Sequence, residues 1–282
     1  MLGLTLEGGA SRSIYSAGVM DALLEEGIMA DVIVGVSAGI SFATSYASKQ
    51  KGRTLDIALK YFGDKRYLGI RHLLNPKNRS LYNLDFVFYE IPEHLAPFDY
   101  DAFAAYEGKI FGVLTDLETG EAIYPEIPRD DHTGLYLRAS CALPIMFPSF
   151  NINGREYMDG GIVDSIPYKK AMEEGCDKNI VVLTREDTYR KTTDKGTAYA
   201  AKKFKKYKAF SQKLLERADM YNGKVEDLQR LEKEGKVFIF RPDDTKGIGR
   251  TESDPVVLKR LYDKGMNDVK SRINGLREYL NK

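Results

Sequence analysis

The sequence predicts an α/β fold built on a parallel sheet. Three observations lead there. The first 60 residues alternate aliphatic strand-like runs with helix-like runs, a βαβα start. The second strand-like run enters the following helix through Gly35-Val36-Ser37-Ala38-Gly39, a glycine-flanked serine turn. With 282 residues and 43% hydrophobic content, the chain suits one large globular domain, or one domain with an appendage.

The elements follow in order. Leu2 to Leu6 is an apolar run of strand length. Tyr15 to Glu26 reads as a helix closed by Gly27, where a C-terminal glycine is expected. Asp31 to Val36 is β-branched and short, as a buried strand should be, and Ala38 to Gln50 continues as a helix. Residues 62 to 100 carry aromatics with Pro76, Pro92 and Pro97 and no clear period, so loops and short helices walling a cleft are expected. Lys109 to Tyr124 reads as two strands joined at Thr119-Gly120. Phe150 to Met158 reads as a hairpin turned at Asn153-Gly154, a strong turn signal. Asn179 to Thr184 and Lys236 to Phe240 are further strands, and from about Tyr189 to Gly235 the chain is charged and helical. This divides the chain into a core, residues 1–188, and a mostly helical C-terminal extension, residues 189–282.

Charge and cysteine content exclude several classes. The net charge of +1 gives no overall preference for nucleic acid. Cys141 and Cys176 lack metal-ligand spacing and form no disulfide framework, which fits a reducing, cytoplasmic setting. There is no basic leader segment before Leu2, and no apolar run of membrane-spanning length. Any membrane contact would therefore be peripheral. Lys202 to Lys213 holds six lysines and no acid, with Phe204, Tyr207, Phe210, Leu214 and Leu215 interleaved or following. It reads as a basic amphipathic helix, suited either to an anionic membrane surface or simply to packing with its lysines in water.

The serine turn names a reaction class. A tight glycine turn between strand and helix pushes Ser37 outward, and the helix N-terminus favours a developing anion. A serine hydroxyl still needs a base and oxyanion donors. Glu7-Gly8-Gly9-Ala10-Ser11-Arg12-Ser13 supplies small residues whose N–H groups can approach a ligand, with the Arg12 charge beside them. A nucleotide-binding loop would want glycine at position 13, where Ser13 stands. Met158-Asp159-Gly160-Gly161 supplies a carboxylate at the end of the predicted hairpin. The three histidines, His72, His94 and His132, lie in loop or surface contexts, and none follows position 132 as a triad order would require. A Ser37–Asp159 dyad is the economical alternative, with burial raising the basicity of Asp159.

These blocks together resemble the patatin-like phospholipase family. Its pattern is Gly-Gly-Gly-x-Arg-Gly after the first strand, then Gly-x-Ser-x-Gly, then Asp-Gly-Gly or Asp-Gly-Ala. Ala139-Ser140-Cys141-Ala142-Leu143-Pro144 is also similar to the family's Ala-Ser-x-Ala-x-Pro segment. The resemblance spans roughly residues 2 to 185 and is nearest to bacterial members with a C-terminal helical region. It implies a three-layer α/β/α fold, Ser37 as nucleophile, Asp159 as base, and an oxyanion hole around Gly8, Gly9, Ala10 and Arg12. It implies lipid or ester substrates and no metal or other cofactor. Two positions depart from the pattern: Ala10 replaces the third glycine and Ser13 the glycine after arginine. If Ala10 takes a positive φ, its Cβ costs about 1 kcal/mol. A catalytically weak lipid-binding or regulatory protein is therefore the competing expectation. An acyltransferase is a third, disfavoured because no histidine lies near the serine.

Overall fold

The computed structural model describes residues 1–76 and 78–281. The chain starts with β1 (Leu2–Leu6), a tight 3-10 turn (Ala10–Ser13) and α1 (Ile14–Glu25). Then come β2 (Val32–Gly35), α2 (Ala38–Ala47) and α3 (Arg53–Tyr61). A 3-10 turn (Ile70–Leu74) and a π-helix (Phe86–Leu95) precede α4 (Tyr100–Ala104). The middle of the chain forms β3 (Lys109–Gly112), β4 (Leu114–Asp116), β5 (Ala122–Ile123), α5 (Leu135–Ser140), β6 (Phe150–Ile152) and β7 (Arg155–Asp159). The last part forms α6 (Tyr168–Glu173), β8 (Lys178–Val182), α7 (Lys195–Lys203), α8 (Lys208–Lys233), β9 (Phe238–Phe240) and α9 (Pro255–Asn281).

Five strands in the order β3-β2-β1-β8-β9 make a wholly parallel sheet. Its strands are buried on both faces, which explains their continuous aliphatic character. On one face Leu4, Leu6, Ile33 and Val182 pack with Tyr15 and Val19 of α1, Ile40 of α2 and Val269 of α9. On the other, Val32, Val34 and Ala171 of α6 form one cluster, while Val181 and Ile239 meet Tyr221, Val225 and Leu228 of α8. The result is a three-layer α/β/α arrangement with an all-parallel central sheet. A second, antiparallel sheet has the order β5-β4-β7-β6.

The C-terminal region is woven into this core. β9 extends the central sheet beside β8, and α9 lies along α1 with Leu258, Leu261 and Tyr262 buried against Ile14, Ala17 and Leu55.

Several local expectations need correction. The second helix stops at Ala47, and a turn with Gly52 at φ +80 leads into α3, which the sequence reading had not separated. Residues 109–124 form three strands, because the chain leaves the parallel sheet after β3 and enters the antiparallel one as β4. The hairpin at Asn153-Gly154 is present, with both residues at positive φ as a two-residue turn demands. Lys202 to Lys213 is not one amphipathic helix: α7 ends at Lys203 and α8 begins at Lys208. Residues six apart lie about 120° from each other on a continuous helix. The break lets Phe204 and Phe210 turn to the same cluster around Met158 and Ile162. Among the described residues no helix is long and apolar enough to cross a membrane.

Candidate active site

Ser37 sits between the C-terminal end of β2 and the first residue of α2, with φ +56 and ψ −132. A non-glycine residue in this sparsely populated region stores about 1–3 kcal/mol. The surroundings enforce it. A Cβ on Gly39 would come within 2.8 Å of the backbone oxygens of Leu6 and Glu7, so only glycine lets α2 close onto β1. Gly35 ends β2 in register with Leu6. The Ser37 N–H donates to Ser140 Oγ at 2.9 Å, and that hydroxyl donates to the Val113 carbonyl at 2.9 Å.

The loop after β1 wraps over the serine. A Cβ on Gly8 would lie 2.9 Å from Ser37 Cβ, so the backbone there can approach Ser37 only as glycine. Ala10 has φ +51, the strained conformation that its departure from the glycine pattern anticipated. Among the described residues, no hydrogen bond occupies the N–H groups of Gly8, Gly9 or Ala10. Arg12 is buried, donates from Nη1 to the Ile248 carbonyl at 3.3 Å, and leaves its Nε without a partner. Burial, then the neighbouring Arg185, lowers its pKa to about 10.

Asp159 ends β7 and is 1% exposed. Its Oδ1 accepts the Gly161 N–H at 2.7 Å; its Oδ2 has no hydrogen-bond partner. Burial raises its pKa above the ordinary 3.8, and the Arg217 charge opposes that rise, followed by the Gly161 N–H and the Ser37 hydroxyl. Ser37 and Asp159 line the same polar cavity, with no hydrogen bond between their side chains among the described residues. The segment singled out around Ser140 fixes both groups. Ser140 holds the Ser37 backbone, and the Ala142 carbonyl accepts the Asp159 N–H at 3.0 Å.

Two cavities meet at Ser37, Ala10 and Leu143. One is an apolar cleft of about 220 Å³, walled by α2 and by Phe62, Tyr67, Leu68, Phe88 and Ile91 from the segment between α3 and α4. The other, about 40 Å³, is polar and contains Glu7, Gly8, Gly9, Arg12 and Asp159. The structure therefore brings together Ser37, Asp159, Gly8, Gly9, Ala10 and Arg12. Among the described residues, none of the three histidines hydrogen-bonds to any of them. His72 is buried with Nε2 against the Lys65 carbonyl at 3.0 Å, and His94 packs on Tyr89. His132 lines the apolar cleft but stacks on Tyr100. Cys141 bonds to Ser41, and burial pushes its thiol up to about 12, which keeps it protonated near neutral pH.

Sequence reasoning missed Arg185, Lys191, Arg217, Tyr221 and Arg250, which also line the polar cavity. They lie on α8 and on irregular segments, with no motif spacing among them. Arg217 donates its Nε to the Gly161 carbonyl at 2.7 Å, so α8 buttresses the turn that carries Asp159. Only the inward period of α8 could have hinted at this.

An α/β/α sandwich with a serine elbow at the end of a parallel strand defines the class of the protein. The family model for "Patatin-like phospholipase" matches residues 4–172, and the chain belongs to that family. A second model, "Domain of unknown function (DUF6363)", matches residues 207–281. The chain is 27% identical over 187 residues to the uncharacterized protein YjjU of Escherichia coli, covering 65% of this chain and 52% of YjjU. It is 28% identical over 195 residues to the lysophospholipase NTE1 of Cryptococcus neoformans, covering 64% of this chain and 11% of that protein. The chain thus spans about half of the one relative and about a tenth of the other. Among solved structures, VipD of Legionella pneumophila aligns with a TM-score of 0.44 at 14% identity, over 96% of this chain and 66% of that one.

Proposed function

We propose that the protein is a serine hydrolase that cleaves lipid acyl esters through a Ser37–Asp159 dyad and an acyl-enzyme. The observation that carries this reading is the position of Ser37. It lies where an apolar cleft meets a polar cavity, beside a buried carboxylate oxygen that lacks a partner. The acyl chain occupies the cleft. Ser37 Oγ attacks the ester carbonyl carbon as Asp159 takes its proton. The oxyanion meets the free N–H groups of Gly8, Gly9 and Ala10, with Arg12 supporting the loop. Asp159 then protonates the leaving alkoxide, and later deprotonates the water that releases the fatty acid. The similarity to lysophospholipases accords with this chemistry.

A peripheral membrane partner also belongs to the reading, at a different surface from the lysine-rich stretch. In Lys202 to Lys213 the rings of Phe204 and Phe210 face the core. By contrast Ile70 and Leu74 are 75% and 82% exposed, directly after Tyr67 and Leu68 of the cleft wall, and Lys65 and Arg71 flank them. An anionic lipid surface would meet both the apolar and the basic groups there. The two free cysteines accord with a cytoplasmic setting at the inner membrane face.

One observation favours a second reading, a catalytically weak lipid-binding protein: the strained Ala10 in the donor loop. Fluorophosphonate labelling separates the two. Wild-type protein should form an adduct at Ser37 and hydrolyse p-nitrophenyl esters, and folded Ser37→Ala protein should do neither. Persistent hydrolysis by that variant sinks the assignment, and an unlabelled, inactive wild type favours the binding protein.

A further inference from the structure

The polar cavity carries far more positive charge than ester hydrolysis requires. Arg12, Arg185, Lys191, Arg217 and Arg250 line it with only two carboxylates, Glu7 and Asp159, while Asp194 acts on Arg217 and Arg250 from outside the lining. Among the described residues none of these five cations lies in an ion pair, although nineteen pairs form elsewhere. Glu7 is itself occupied. It accepts the Thr184 N–H at 2.6 Å, and burial raises its pKa. Clustered cations in excess of their counterions repel one another, and a bound anion relieves that repulsion.

Three of the cations are also held in place. Arg217 is tied to Gly161, Arg185 Nη1 donates to Thr245 Oγ1 at 2.9 Å, and the Lys191 ammonium lies over the Tyr221 ring at 4.7 Å. Burial, then the Arg217 charge, lowers the Lys191 pKa to about 7, against the opposing pull of Glu7. Each arginine retains N–H groups beyond those used for anchoring. Such fixed forks suit a tetrahedral oxyanion.

Asp159 gives the cavity a direction. It lines the polar cavity and not the apolar cleft. A proton returned by Asp159 therefore reaches a leaving group on the polar side, which puts the alcohol half of the ester there. We propose that this cavity is a phosphate subsite, with three of its five cations (Lys191, Arg217 and Arg250) supplied by the C-terminal region, that binds a phosphate monoester on the alcohol half of the lipid ester. The direction rests on the reading of Ser37 as nucleophile; the anion site itself does not. Its charge disfavours a headgroup ending in a quaternary ammonium.

The test compares a 1-acylglycerol 3-phosphate with the 1-monoacylglycerol of the same chain, both below their aggregation concentrations. Wild-type kcat/KM should favour the phosphate ester by about tenfold or more, and Lys191→Gln with Arg250→Gln should erase that preference. A readout independent of turnover uses folded Ser37→Ala protein. Inorganic phosphate should raise its Tm, and should not when Lys191→Gln and Arg250→Gln are added. An active enzyme that treats the two esters alike while still binding inorganic phosphate overturns the headgroup assignment and leaves a free-anion site. No phosphate-dependent Tm rise, or one unchanged in the triple variant, overturns the subsite altogether. Phosphate binding by Ser37→Ala protein, together with a wild type that hydrolyses neither ester, supports the subsite and removes the nucleophile reading instead.

Discussion

The two cavities that share Ser37 are made in opposite ways. The apolar cleft is walled mainly by residues 37–147, with a long stretch of aromatics between α3 and α4. The polar cavity gathers side chains that are far apart in the chain, from Glu7 and Arg12 to Arg217 and Arg250. Apolar area is non-directional, so the cleft tolerates any set of bulky side chains that keeps it dry. Charge recognition is directional, so the polar cavity depends on anchored groups such as Arg217 on Gly161. The family match covers residues 4–172 and holds nearly all of the cleft, while the second match, residues 207–281, brings Arg217 and Arg250 to the other side. The difference teaches that the two cavities on this fold can change separately, because different stretches of the chain build them.

The largest expected effect lies where the cavities meet. Asp159→Asn keeps the shape but cannot accept a proton, so kcat should fall by at least about 10²-fold. His132→Ala, altering a cleft residue stacked on Tyr100, should change kcat only several-fold. A histidine variant as inactive as Asp159→Asn would reveal a triad and break the proposed division of labour. In the proposed mechanism Asp159 acts as the carboxylate, and burial raises its pKa. Activity should therefore be lost as pH falls through a value above 3.8. The same sign sets stability. A carboxyl with a raised folded pKa stabilises the protein when protonated and costs stability once ionised. Asp159→Asn should thus raise Tm at pH 7, with a gain that shrinks towards pH 4. A lower Tm at pH 7 would show that the ionised carboxylate is needed structurally.

A smaller effect distinguishes the walls. Phe88 lines only the apolar cleft. Removing its ring forfeits roughly 50 Å² of contact with a long chain, or about 1 kcal/mol at 25 cal/mol per Å². Phe88→Ala should raise KM for a long-chain ester about fivefold, with a smaller effect on a short-chain ester. It should leave the preference between charged and neutral alcohol halves intact. A shift in that preference would mean the cleft, not the basic cavity, reads the headgroup.

Legibility in the sequence followed the same boundary. The parallel βαβα start, the serine turn and the Asn153-Gly154 hairpin were readable because each depends on local backbone chemistry: strand periodicity, glycine clearance and positive φ. Ser37 and Asp159, 122 residues apart, were readable only as ordered motifs, and Ser140 and Ala142 are what hold them near each other. Arg217 and Lys191 were not readable. Their part in the cavity arises from packing of α8 and the segment before α7, and a lysine or arginine in a charged helix looks like solvent-facing charge. The break between α7 and α8 was hidden for a related reason: tertiary burial of Phe204 and Phe210 outweighs local helix preference.

The smallest prediction concerns the wall between the two regions, where Ala10 lines both cavities at φ +51. Its Cβ costs about 1 kcal/mol in that conformation. Glycine removes the cost but adds freedom to the unfolded chain, which offsets part of the gain. Ala10→Gly should therefore change stability by less than about 1 kcal/mol, measured by denaturant unfolding. The backbone N–H survives the substitution, so the donor is kept. Its aim can improve, because glycine relaxes where alanine is held strained. Ester hydrolysis should be unchanged or modestly faster, with the same ratio between phosphate-bearing and neutral substrates. A large loss of kcat would mean that the loop has been re-tuned around alanine, with the methyl group positioning both the acyl and the alcohol halves of the substrate.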